Sequence, residues 1–307
     1  MDTRRRDLFN AAYSDNLFAD FMGRLERKFG KFPFRVAETP LIITTELRDT
    51  LARHSSEIVE QLSEPALLAK LKQVIPPHYN VPGMDPLPNC VQVDFALVEG
   101  PDGKMDGRVV ELQAFPSLYA LMAVMADAWA ETMQEKVPGL NEPFNQFIGL
   151  DKKAAVDLLA RTIVGNADPA ETVLVDYQPE NQKTAPDFEA TRQLFGVDAV
   201  CVTKLVKQGN KLFREKDGKL VQVKRIYNRM VFDELEVKGV KAPFSWNEEL
   251  DVTWCSHPNW YWVWSKYSLP FLNHPAVPRA RFLSDIPELP ADLSRYVLKP
   301  LFSFAGS

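Results

Sequence analysis

Two carboxylates, Asp94 and Glu111, and two primary amides, Gln92 and Gln113, sit at spacings that can bring them to one place. Val91, Val93, Phe95 and Leu97 alternate with Gln92, Asp94, Ala96 and Val98, the period of a half-buried strand. Gly100-Pro101-Asp102-Gly103 follows, and Asp-Gly is a strong hairpin signal. If Asp102-Gly103 is a two-residue turn, antiparallel pairing sets Asp94 opposite Glu111 and Gln92 opposite Gln113, all on one face. Opposed carboxylates stand about 5 Å apart at Cβ and repel one another. A cation between them, or a proton on one of them, relieves the repulsion. With amide oxygens alongside, the set suits Mg²⁺, which takes one or two carboxylates plus water and phosphate oxygens. The same spacing also describes the solvent-facing side of an ordinary hairpin. Asp106-Gly107 offers a bulge or longer turn that would change the register.

The elements around this hairpin read as mixed α and β. Residues 8–29 place Phe18, Phe21, Met22, Leu25 and Phe29 at helical spacing, and Gly30 supplies a stop. A second helix is expected from 44 or 45 to 62 with Thr45 as N-cap, and a third over 64–74 before Pro76-Pro77. The span 76–88 is a proline-rich loop. A helix over 117–136 is apolar across a wide arc in its first half and should be buried. Further on, a helix at 153–163, a strand at 172–177, a helix at 186–195 ending at Gly196 and a strand at 199–205 form a β-α-β unit. Asp217-Gly218 centres another hairpin with its second arm at 220–231, and a last short strand is expected at 295–299.

Composition excludes several classes. The 307 residues are 46% hydrophobic and 25% charged with a net charge of −5, an ordinary globular balance without a pull toward nucleic acid or anionic membranes. Cys90, Cys201 and Cys255 form no CxxC pair, which argues against a disulfide framework or a structural zinc site and for buried free thiols in a reducing compartment. No signal-peptide order opens the chain and no apolar run reaches membrane-spanning length, so the expected location is the cytoplasm. There is no Gly-x-Gly-x-x-Gly after a strand, no Walker A loop and no Gly-x-Ser-x-Gly elbow. His54, His78, His257 and His274 are scattered and are read as loop or surface residues. The stretch 257–271 holds Trp260, Tyr261, Trp262, Trp264, Tyr267 and Phe271, read first as core or domain contact and otherwise as a ligand surface.

The order Gln92-Val93-Asp94 … Glu111-Leu112-Gln113 resembles the Arg-x-Asp … Glu-x-Asn signature of glutathionylspermidine synthetase-like enzymes, which are circularly permuted ATP-grasp ligases. Near the end, Tyr296-Val297-Leu298-Lys299-Pro300 and Ser303-Phe304-Ala305-Gly306-Ser307 look like that family's Val-x-Lys-Pro strand and small-residue phosphate loop. His257-Pro258-Asn259-Trp260 and Ser265-Lys266 look like the helix before the ATP-clasping part, and the block 172–205 resembles the pre-ATP-grasp domain. The resemblance spans roughly residues 85–307.

By this resemblance Asp94, Glu111 and Gln113 are metal ligands for the Mg²⁺ of Mg-ATP, and Lys299, Gly306 and Ser307 contact ATP. Gln113 replaces Asn by one more methylene and keeps the carbonyl oxygen. Gln92 stands where the family has an Arg that steadies the transferred phosphoryl group, and it brings no charge. Arg229, in Tyr227-Asn228-Arg229, is a candidate for gripping a substrate carboxylate, with a surface ion pair to Asp233 or Glu234 as the alternative. The implied fold is mixed α/β, an incomplete circularly permuted ATP-grasp fold with a pre-ATP-grasp β-α-β domain. Its expected parts are 1–150 (helical region and metal hairpin), 151–280 (pre-ATP-grasp-like) and 281–307 (start of the ATP-clasping subdomain). The implied reaction joins a small-molecule carboxylate to an amine (amino acid, peptide or polyamine) through an acylphosphate, releasing ADP and phosphate. Because the 307 residues end inside the loop, this chain alone is expected to lack a complete nucleotide site and to be inactive as a ligase. A non-enzymatic relative that binds a nucleotide, peptide or protein is the alternative. Neither nucleic acid nor membrane is an expected partner, and an oligomer is compatible with everything above.

Overall fold

A computed structural model describes residues 1–100, 102–144 and 149–302. The chain opens with α1 (Thr3–Ala12) and α2 (Asp15–Phe29) in place of one long helix. Ser14 breaks the run and caps α2, its side chain accepting from Leu17 N. Leu17, Phe21, Leu25 and Phe29 recur every fourth residue and are all buried, and Gly30, at φ +79°, ends the helix. Next come α3 (Thr45–Ser63) and α4 (Pro65–Leu71). Thr44, not Thr45, caps α3: its hydroxyl accepts from Leu47 N at 3.2 Å.

The hairpin follows as β1 (Gln92–Glu99) and β2 (Met105–Gln113), and then the long helix α5 (Tyr119–Lys136). The second half of the chain contains α6 (Lys152–Ile163), β3 (Thr172–Asp176), α7 (Ala185–Phe195) and β4 (Asp198–Cys201). Three short strands, β5 (Val206–Gln208), β6 (Lys211–Lys216) and β7 (Lys219–Val223), precede β8 (Arg225–Asn228). Two short helices, α8 (Phe232–Val237) and α9 (Trp260–Val263), flank β9 (Thr253–Cys255) in the chain.

These elements form two compact units, each assembled from three separate segments rather than from a continuous stretch. The first comprises residues 1–49, 117–230 and 250–255. Its sheet has the order β4-β3-β8-β9 with every neighbour parallel. Central β3 is buried at all five positions, as a strand covered on both faces must be. The β3-α7-β4 crossover is the β-α-β unit expected from the sequence. The strands β5, β6 and β7 make a separate antiparallel sheet, so the arm expected over 220–231 is divided between β7 and β8. Trp129 of α5 stacks on Phe21 of α2 with centroids 3.8 Å apart, and Phe9 meets its edge.

The second unit comprises residues 50–116, 231–249 and 256–307. Its core joins Ile58 and Leu62 of α3, Leu68 and Leu71 of α4, Val109 and Leu112 of β2, and Trp260, Val263 and Trp264. The aromatic stretch is therefore core: Trp260, Tyr261, Trp262 and Trp264 are all buried. The strand expected over 295–299 does not form. Leu293–Arg295 is a single 3-10 turn, and Tyr296, Val297 and Leu298 are exposed with no strand pairing. An alternating pattern makes a strand only where a neighbouring strand supplies the ladder.

Candidate functional site

Asp94 pairs with Glu111 and Gln92 with Gln113, as the spacing predicts, but the turn differs. Glu99 pairs with Met105, leaving five residues in the loop, closed by Gly100 N donating to Lys104 O at 2.7 Å. A register shift follows between Asp94 and Phe95, whose partner is Val109, so Val110 is the extra residue of a bulge. The longer loop and the bulge each displace the register by one, in opposite senses. The four candidate positions therefore face one another as a strict two-residue turn would place them.

Two lysines come to this face from far along the chain. Lys266 Nζ lies 2.9 Å from Glu111 Oε1, and both side chains are largely withdrawn from solvent, at 8% and 18% exposure. Lys299 donates through Nζ to the carbonyl oxygen of Val110, at the bulge. Backbone bonds fix the hairpin edge: Ala114 N donates to Trp264 O at 2.8 Å and Val109 N to Ala276 O at 2.7 Å. Lys266 is carried by the 3-10 segment Lys266–Phe271, which Ser265 caps by accepting from Tyr267 N.

The electrostatics are unrelieved at one point. Asp94 keeps an exposed face, yet its carboxyl is held above the ordinary range. Loss of water around it is the main cause and the Glu111 charge the next, against a hydrogen bond from Gln92 and the charges of Lys266 and Lys299. Gln92 Oε1 is buried without a hydrogen-bond partner, and Gln113 is buried at 7% exposure. Two directly opposed carboxylates with an unsatisfied amide oxygen beside them can hold a hard cation. Two lysines on the same face could complement an anionic group such as phosphate.

Of the sequence-derived candidates, Gln92, Asp94, Glu111, Gln113 and Lys299 come together in one unit. Gly306 and Ser307 lie outside the described residues. Arg229 belongs to the other unit. It is 4% exposed, its Nη1 donates to Asp187 Oδ2 at 2.5 Å, and its guanidinium lies over the Phe188 ring. The carboxylate it grips here is thus internal, and neither Asp233 nor Glu234 is its hydrogen-bond partner. Lys266 joins this face without being among the candidates from the hairpin spacing. Its only sequence signal is a lysine inside an apolar aromatic run, where a cation must find a counter-charge.

His78 is a surface residue and His257 and His274 lie in loops, as expected, whereas His54 is buried on α3. Only His78 is exposed; His54 and His257 are buried, and the His274 side chain is 6% exposed. His257 sits in the core with Nε2 facing Pro82 O at 3.1 Å, and burial holds its pKa below the ordinary value.

No protein-family model matches the chain, and no curated sequence does. Among solved structures, it is similar to a glutathione synthetase-like effector from Globodera pallida in its apo form, with a TM-score of 0.54. The likeness covers 86% of this chain and 68% of that one at 12% identity, and so is a likeness of fold. Among the described residues, no helix is long and apolar enough to cross a membrane.

Proposed function

We propose that the hairpin face binds the phosphates of a Mg²⁺–ATP complex, and that the chain serves ATP-dependent joining of a carboxylate to an amine as a circularly permuted ATP-grasp protein. The observation that carries this is the directly opposed Asp94–Glu111 pair, with Gln92 and Gln113 beside it and Lys266 and Lys299 converging on the same hairpin. The fold likeness to a glutathione synthetase-like protein supports it.

In this reading Asp94, Glu111 and Gln113 would hold Mg²⁺, which neutralises phosphate charge when bound. Glu111 has one oxygen on Lys266, leaving the other for the metal. Lys299 and Lys266 place positive charge at the phosphates, which partly offsets the neutral Gln92. Arg229 stands outside this set because Asp187 occupies it.

The test is thermal unfolding with ATP plus Mg²⁺, ATP plus EDTA, and Mg²⁺ alone. Stabilisation by the complete pair, lost in Asp94→Ala, is the expected result, since a ligand of the folded state raises its stability. A shift indifferent to Mg²⁺, or unchanged in Asp94→Ala, refutes the hairpin as the site. Substrate-dependent ADP release separates a ligase from a relative that only binds, the reading that the uncharged Gln92 favours.

A further inference from the structure

At the far end of the same hairpin, roughly 15 Å along β2 from Glu111, a second group of side chains meets. His54 and Glu57 lie one turn apart on α3 and so share a face. His274 reaches them from the loop before Ala276. His54 Nδ1 is 3.8 Å from Glu57 Oε2, His274 Nε2 is 2.8 Å from the same oxygen, and the two imidazoles cross edge to face. One ligand atom from each of the three residues lies within 4.8 Å of the others. The loop is pinned to α3 by reciprocal bonds: Gln61 Nε2 donates to Asn273 O, and Asn273 N donates to Gln61 Oε1. The group opens into a cleft of about 600 Å³.

The proton positions decide what the group can hold. Asp106 accepts on both carboxylate oxygens, from Gly107 N at 2.8 Å on Oδ1 and from Arg108 Nη1 at 2.6 Å on Oδ2. His54 Nε2, 3.1 Å from Asp106 Oδ1, must be the donor. The Nδ1 of a neutral His54 ring then carries a lone pair. That atom is buried without a hydrogen-bond partner in a residue only 7% exposed, and it faces Glu57. A carboxylate that fixes the proton on one nitrogen while the other points at a carboxylate is the arrangement that orients a metal-binding imidazole.

We propose that His54 Nδ1, Glu57 and His274 Nε2 bind one first-row divalent transition metal of the Zn²⁺ type, with Asp106 orienting His54. Two imidazoles and a carboxylate select such a metal over Mg²⁺. Ligand atoms around tetrahedral Zn²⁺ stand about 3.3 Å apart, so the three need only small shifts. The cost falls on His274: its Nδ1 accepts from Ala276 N at 3.1 Å, and coordination through Nε2 moves the ring proton to Nδ1 and breaks that bond. The affinity is accordingly below that of a closed structural site. Bound metal ties α3 to the 273–276 loop.

The test is a Zn²⁺ titration of the purified chain against a chromophoric chelator, without nucleotide. Wild type, His78→Gln and Asp94→Asn should each take up one equivalent. His54→Gln, Glu57→Gln and His274→Gln should bind at least about tenfold more weakly, and Asp106→Asn about 10–100-fold more weakly. Unfolding curves in EDTA establish that each variant is folded, and Glu57→Gln alters a half-exposed residue with little change of shape. If wild type binds no tighter than His54→Gln, or His78→Gln loses as much, the proposal is wrong. A loss in Asp94→Asn would instead move the metal to the opposed carboxylates.

Discussion

Replacing Lys266 by Met removes the one buried cation beside two opposed carboxylates while preserving the length and apolar stem of the side chain. At 2.9 Å the Lys266–Glu111 pair has a Coulomb energy of about 6 kcal/mol with an effective dielectric constant near 20. Most of this offsets desolvation, so the pair adds little over an apolar replacement of both partners. Removing one partner alone strands the other charge and costs about 3–5 kcal/mol. Glu111 retains 18% exposure, which places the loss at the lower end, about 3 kcal/mol. The midpoint of thermal unfolding at pH 8 should fall by about 4–5 °C. Lys266→Met/Glu111→Gln should recover most of the loss, because no stranded charge remains. Millimolar Mg²⁺ should stabilise Lys266→Met more than wild type by supplying the missing cation. The assay is a double-mutant cycle followed by thermal unfolding with and without Mg²⁺. A coupling below about 0.5 kcal/mol would refute the view that Lys266 neutralises this face.

Three further outcomes follow from the packing and the charges. Gly107→Ala should cost about 1–3 kcal/mol in thermal or urea unfolding, because its Cβ would come within 2.3 Å of Leu51 Cδ2 and 2.8 Å of Phe95 Cδ1. Arg229→Met should destabilise by about 3–5 kcal/mol by stranding the fully buried Asp187. Adding Asp187→Asn should return part of this, since the Asn oxygen still accepts from Leu121 N as Asp187 Oδ1 does. His257 has a folded pKa below its unfolded value of 6.5, so the unfolded chain takes up the proton first. Its contribution is complete above 6.5 and is lost as pH falls toward the folded value; His257→Gln should flatten that part of the stability profile.

Much of the hairpin was legible because period two is imposed by the strand itself: once Asp94 and Glu111 lie on opposed arms, their parity decides the face. The pairing survived a wrong turn length only because the Val110 bulge compensated for the five-residue loop. The β3-α7-β4 unit was legible for a similar reason, since Gly196 and the apolar runs mark its boundaries locally. The helix break at Ser14 was missed because the apolar period continues across it, although the serine cap was there to be read.

The sequence by itself determined the residue types of the carboxylate face, their alternation, and the helices whose caps and apolar stripes are local. Tertiary structure alone decided the rest. It brought Lys266 to Glu111 and Lys299 to the Val110 carbonyl, buried Arg229 on Asp187, and set His54 against His274 across more than two hundred residues of chain. It also left 295–299 outside any sheet. The physical reason is common to all of these. Local pattern specifies which way a side chain points from its own helix or strand, whereas the partner of a charge, a ring or a ladder edge depends on how distant segments pack, which no periodicity encodes.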